Sequence, residues 1–185
     1  MKHAFRIRFW ALVIAQILLL LFIVVRYQAA LSNGVPVLLK VVPVDPRDLL
    51  RGDYVTLRYE ISTIELALVK NTPTEYSNGD TVYVKLEKGE KFWNATAVDK
   101  KFHPTSASEI WLRGTKEYSW QEGFKVINLK FGIEQFFVPE GKGKIIEQAR
   151  NAKNLSIEIR VTEKGIGLIK QVYANNQPVE LNPVK

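Results

Sequence analysis

The 185-residue chain has no cysteine, only two histidines and one methionine. Without thiols there are no disulfides, no thiolate zinc sites and no cysteine nucleophile. That absence is silent about compartment, because a domain of this size needs no disulfide on either side of a membrane. His3 sits among basic residues at the start and His103 precedes Pro104 in a loop, so no His/His metal site can be assembled. A lone loop histidine is ordinary surface more often than ligand or base. There is no nucleophile elbow, and Gly141-Lys-Gly-Lys-Ile lacks the Gly/Lys/Ser spacing of a phosphate loop. No catalytic residue, metal or cofactor is therefore expected, and the chain reads as non-enzymatic.

A concentrated block of one charge is also missing. The net charge of +7 invites a nucleic-acid partner, but Lys2, Arg6, Arg8 and Arg26 flank a single apolar run. Taking those four from the 26 Lys+Arg leaves 22 against 19 Asp+Glu. In that remainder the signs are interspersed, as in Glu87, Lys88, Glu90 and Lys91, like a solvated surface. No basic stripe suited to DNA or RNA is visible, so no nucleic-acid partner is expected.

What the chain does have is a long hydrophobic run. From Phe9 to Val25 every residue is apolar except Gln16. As a helix this run covers about 26 Å, the lower limit for crossing a hydrocarbon core of about 30 Å. Trp10 and Tyr27 are placed like interfacial aromatics, and the basic residues lie mostly before the run. The expected organisation is a cytoplasmic basic N-terminus (1–8), a transmembrane helix (9–27), a linker (28–34) and an extracytoplasmic β domain (35–185). That is a single-pass protein of the cell (inner) membrane, with the bilayer as partner through residues 9–27. The rival is a cleaved signal peptide, for which Ala30-Leu31-Ser32 offers a small-x-small site. The run is longer than the usual 7–15 residues of a signal peptide, which favours a retained anchor. A buried helix of a soluble protein would need a polar face, and Leu18 to Val25 has none.

Beyond the anchor the pattern becomes that of strands. Val35 to Val44, with Pro36 and Pro43, reads as an edge-type strand. Tyr54 to Ile61 alternates, with Val55, Leu57, Tyr59 and Ile61 on the face expected to be buried. Thr63 to Lys70 fits a short helix or a strand equally. Thr81–Leu86 and Phe92–Asp99 flank a glycine-containing hairpin turn, and Glu109–Arg113 and Val126–Phe137 continue the pattern, the latter broken at Gly132. Gly141 to Asn151 reads as one short helix, followed by strands Leu155–Val161 and Leu168–Ala174 and a turn at Asn175-Asn176. Seven or eight strands with little helix predict a mainly β fold, an antiparallel β-sandwich or partly open β-barrel.

The densest polar stretch is Asp45-Pro-Arg-Asp-Leu-Leu-Arg-Gly-Asp-Tyr. Asp45, Asp48 and Asp53 could converge on a hard cation such as Ca²⁺, but Asp at turns normally caps backbone N–H groups, with Arg47 and Arg51 as ion-pair partners. Arg51-Gly52-Asp53 also spells an adhesion tripeptide, which three residues at a strand entry support only weakly. Leu-Arg-Gly-Asp-Tyr-Val resembles the Gly-Asp-x-Val strand of type I signal peptidases. No serine lies between Gly34 and Ile61 to act as nucleophile, which excludes that class.

A different resemblance holds. Gly52, Asp53, Tyr54, Leu57 and Tyr59 match all five fixed positions of the pattern that names the GDYXXLXY domain family. The apolar helix, Val-Asp-Pro-Arg-Asp-Leu-Leu-Arg before the motif, Glu60-Ile61-Ser62 after it and Phe136-Phe137-Val138-Pro139-Glu140-Gly141 also look like that family. The resemblance implies a bacterial, membrane-anchored protein partnered by a polytopic membrane protein, and it carries over no catalytic residue. Read physically, Leu57 and Tyr59 belong to the core with the Tyr59 hydroxyl on a polar partner, Gly52-Asp53 sets a turn, and Arg51 pairs with Asp48 or Glu140. The expected role is an accessory or scaffold subunit of an integral membrane partner. The alternative is a cell-envelope sensor or small-molecule-binding domain, with Asp48, Arg51, Asp53 and Glu140 as its binding cluster.

Overall fold

The computed structural model describes residues 2–43, 54–71, 75–118, 126–137 and 143–179. Contacts divide the chain into two compact units, Met1–Asn33 and Gly34–Lys185. The first is one helix, α1 (Lys2–Asn33). Within its stretch Arg6–Asn33 an 18-residue run has a mean hydropathy of 2.5 with none of it buried, and the helix is long and apolar enough to cross a membrane. The helix continues through residues 28–33, where the sequence reading places a linker. Gln28-Ala29-Ala30-Leu31 are sound helix formers, and no breaker comes before Gly34, the one residue between α1 and the first strand.

The second unit is mainly β, as expected, with two antiparallel sheets. A five-stranded sheet runs in the order β13 (Gln177–Val179), β12 (Gly167–Ala174), β11 (Leu155–Val161), β1 (Val35–Val42), β3 (Arg58–Tyr59). A six-stranded sheet runs β4 (Thr63–Glu65), β9 (Val126–Lys130), β8 (Ile110–Lys116), β6 (Thr81–Lys88), β7 (Trp93–Asp99), β5 (Lys70–Asn71). β5 is the exception to the antiparallel rule, pairing parallel to β7. β2 (Tyr54–Thr56) and β10 (Gln135–Phe137) form a separate pair. One further helix, α2 (Gly143–Asn151), precedes β11.

Period-two patterning builds one core from both sheets. Val37, Leu39 and Val41 of β1 and Ile157, Ile159 and Val161 of β11 are fully buried and join Val82, Val84 and Leu86 of β6 in a single cluster. Each such side chain contributes about 1.5–3 kcal/mol of transfer free energy. Ile146 and Ala149 bring α2 onto the same cluster.

Several elements differ from the sequence reading. The strand expected from Tyr54 to Ile61 is interrupted at Leu57 and ends in a 3-10 turn, Glu60–Ser62. The undecided stretch Thr63–Lys70 resolves into β4, a turn in which Leu68 N donates to Glu65 O at 3.0 Å, and the start of β5. The hairpin strands reach further than expected, since Glu87 and Lys88 remain paired with Asn94 and Trp93. Among the described residues thirteen strand segments replace the seven or eight expected, because several consist of two or three residues that period-two patterning cannot detect. Among the described residues β1 has edge character over most of its length: β11 pairs with Val35–Lys40 on one side, while β3 meets only Val41 and Val42 on the other. Proline at position 36 suits such a strand, since it has no N–H to offer.

The β11–β12 connection depends on Gly165, whose φ of +75° lies in the left-handed region. A Cβ at this position would stand 2.8 Å from Trp111 O, and Arg113 N donates to Gly165 O at 2.7 Å. Gly165→Ala is therefore expected to destabilise the domain by about 2–3 kcal/mol, combining the backbone penalty with displacement of β8. Urea titration of the full chain in detergent measures this. An unchanged midpoint would show that the turn yields freely.

Candidate functional site

The described part of the motif strand passes from one set of pairings to another. Thr56 pairs with Gln135, Leu57 N donates to Glu134 O at 2.7 Å, and Tyr59 pairs with Val41. Leu57 and Tyr59 point into the core, 2% and 1% exposed, while Thr56, Arg58 and Glu60 face outward. The Tyr59 hydroxyl donates to Ile133 O at 2.6 Å, and Tyr59 N donates to Ser62 Oγ at 3.2 Å, closing the 3-10 turn. Burial, with a smaller effect of Glu134, pushes the phenol well above its ordinary pKa, so it stays a donor at physiological pH. The corner it grips is itself braced. Gly132 takes a φ of +79°, and the Glu134 carboxylate accepts from Phe131 N and, at 2.9 Å, from Gly132 N. On the other side Arg150 of α2 donates from Nη1 to Thr56 O at 3.3 Å.

A polar cluster lies along the six-stranded sheet. His103 Nε2 is 2.9 Å from Asp99 Oδ2, and the imidazole stacks on Trp111 with centroids 4.0 Å apart and planes at 14°. Thr105 Oγ1 donates to Trp111 O at 2.7 Å and accepts from Trp111 N at 3.0 Å, so this hydroxyl is already committed to the backbone. Nearby, Lys85 pairs with Glu109 at 3.1 Å and Lys100 with Asp80 at 2.7 Å. Among the described residues no group of three or more His, Cys, Asp or Glu is placed to hold a metal ion.

A groove of about 630 Å³ lies beside β1. Its floor carries the outward-facing side chains of the five-stranded sheet: Pro36 and Leu38 from β1, Ser156 and Glu158 from β11, and Tyr173 from β12. Its wall is the end of the β6–β7 hairpin, with Lys88, Lys91 and Trp93. Lys91 Nζ donates to Asn176 Oδ1 at 2.6 Å, holding the hairpin end against the β12–β13 turn. Glu158 is engaged within the floor, accepting from Tyr173 Oη at 3.1 Å and lying 3.3 Å from Arg160.

Of the residues singled out in the sequence, Leu57 and Tyr59 are brought together in the core. Tyr54 is placed through its backbone in β2 opposite Phe137. Gly52, Asp53, Asp48, Arg51 and Glu140, the expected binding cluster among them, lie outside the described residues, as does Asp45. The groove was not foreseen, although Trp93 following a glycine hairpin flanked by lysines is a signal for it. The Asp99–His103 pair was also missed, and its four-residue spacing is visible in the sequence.

An apolar helix followed by a mainly β domain of two antiparallel sheets is thus the class of protein to which the chain corresponds. The family described as GDYXXLXY protein matches residues 16–172, and the chain belongs to that family. No curated protein and no solved structure matches it.

Removing the Tyr59 hydroxyl tests the motif. Tyr59→Phe leaves the Ile133 carbonyl without its buried donor, and a loss of about 1–2 kcal/mol is expected in denaturant titration. Arg58→Ala, on the exposed face, should cost about 0.5 kcal/mol or less. Equal effects from the two would contradict the assignment.

Acid stability provides a second check. The Lys100 hydrogen bond holds the Asp80 carboxyl below its ordinary pKa, and Lys85 does the same for Glu109. With folded values below the unfolded ones, the stabilisation is present above about pH 4 and is lost as pH falls through the folded values. Asp80→Asn with Glu109→Gln should flatten the fall in urea midpoint between about pH 4 and pH 2. An unaltered slope in the double variant would assign acid sensitivity to other groups.

Proposed function

We propose that the protein is a membrane-anchored, extracytoplasmic and non-enzymatic subunit that supports an integral membrane partner. The observation that carries this reading is α1, a helix of 32 residues whose apolar stretch from Arg6 to Asn33 has no buried side chain. Such a surface is at a loss in water and at home among acyl chains. Lys2, Arg6 and Arg8 precede the apolar run and Arg26 follows it, so the positive-inside bias puts the N-terminus in the cytoplasm and the β domain outside. The motif acts as a structural joint in this reading, because Leu57 and Tyr59 spend their side chains on the core.

Expression in a bacterial host with antibodies to both ends tests each part. The chain should resist alkaline extraction from membranes at its full length, and protease added to spheroplasts should degrade the β domain. In mild detergent it should co-purify with a polytopic membrane protein. A chain shortened at Ala30–Asn33 and recovered in the soluble fraction would establish a signal sequence, and purification without a membrane protein would remove the partner.

A further inference from the structure

We propose that the groove beside β1 receives an extended, acidic segment of another protein, which adds to the sheet edge as a strand. The inference deepens the partner reading above by naming the docking surface and the kind of segment it takes.

Two unpaired edges meet at this groove. Val35–Lys40 of β1 pair with β11 on one side and have no partner on the other among the described residues. Trp93–Ala95 of β7 pair with β6, with a bulge at Thr96, whereas β5 reaches only Ala97 and Val98 on the opposite side. The two strands belong to different sheets yet approach each other, and Val35–Leu38 and Trp93 line the same opening. β5 pairs at the Ala97–Val98 end of β7, and the groove lies at the other end, at Trp93. Main-chain groups along an unpaired edge are a template for another extended backbone, which finds hydrogen bonds there without disturbing the fold. Val35–Leu38 spans about 13 Å of edge, along which Pro36 can only accept, through its carbonyl, and the N–H donors come from the residues around it.

Charge selects the segment. Lys88 and Lys91 form the wall and have no carboxylate partner among the described residues; Lys91 is held by two neutral groups, the Asn176 amide and the Phe92 ring 5.0 Å away. The one carboxylate on the floor, Glu158, is already engaged by Arg160 and Tyr173. The groove is therefore electropositive over an apolar and aromatic surface of Pro36, Leu38 and Trp93. A strand with acidic side chains toward the hairpin and apolar side chains toward the floor complements both features, since strand side chains alternate. Lysines that only kept an exposed edge soluble would need no concave floor beneath them.

The probes are three six-residue peptides: alternating Glu and Val, alternating Lys and Val, and a Glu/Val version with N-methylated valines that cannot donate to an edge. Binding is followed on the full-length protein in detergent by amide chemical shifts and Trp fluorescence. The Glu/Val peptide is expected to bind with shifts confined to Val35–Leu38 and the Trp93 region, at least tenfold tighter than the other two. Lys88→Glu, an exposed change, should weaken it at least fivefold, and Lys88→Gln, which removes charge without reversing it, should weaken it less. Equal binding of the acidic and basic peptides, shifts elsewhere, or no binding would overturn the proposal. So would a concentration-dependent dimer whose interface is the β1 edge, because the occupant is then a second copy. If Lys88→Glu/Lys91→Glu still co-purifies with the membrane partner of the wild type, the groove assignment falls while the partner reading survives. If the wild type brings down no partner, the partner reading falls and the peptide data judge the groove by themselves.

Discussion

The hydrogen bond from the Tyr59 hydroxyl to the Ile133 carbonyl is the point on which the two sheets depend. It spans 74 positions of sequence and is fully buried, so neither group has water to fall back on. Around it the motif strand changes partners, from β10 through Leu57 and the Glu134 carbonyl to β1. A strand that crosses between pairings exposes backbone groups at the crossing unless something receives them. Here the 131–135 corner does so, shaped by the left-handed Gly132 and by Glu134 accepting from two backbone amides. The spacing of Leu57 and Tyr59 follows from this geometry: two residues apart on a strand, both reach the core while Arg58 between them reaches outward.

That division separates what the sequence reveals from what it hides. Ile61 is buried from the 3-10 turn, whereas the inward faces of Leu57 and Tyr59 are legible because alternation is a local property, decided by the pleat. The same holds for β6, β11 and the glycine hairpin between β6 and β7. α1 is legible for its hydropathy, but its end is not, since extension past Tyr27 depends on the helix propensity of Gln28–Leu31 and the stop at Gly34. Sheet order is invisible, as pairing β1 with β11 and β3 requires knowledge of partners far along the chain. The groove is hidden for the same reason. Its floor and its wall come from strands separated by tens of residues, and the Lys91–Asn176 contact joins them.

His103 shows how a bland reading and a specific arrangement coexist. As one histidine in a loop it carries no signal of chemistry, and its surroundings support a packing role. The ring lies flat on Trp111 and is held at its edge by Asp99, while the adjacent Thr105 hydroxyl is spent on the backbone of β8. Each polar atom closes a loop onto the sheet. The loop between β7 and β8 is thereby fixed over the sheet, with Phe102 adding an edge-on contact to Tyr83.

The pairing of β1 with β11 has a consequence for how the domain comes into being. Gly34 and Arg160, joined by a hydrogen bond, are 126 positions apart. The first strand to leave the ribosome must wait for nearly the whole domain before its long-range partner arrives, whereas the β6–β7 and β11–β12 hairpins can close locally. Assembly of the five-stranded sheet is thus a late event, and β1 is the segment of the newborn chain that stays longest without its neighbours.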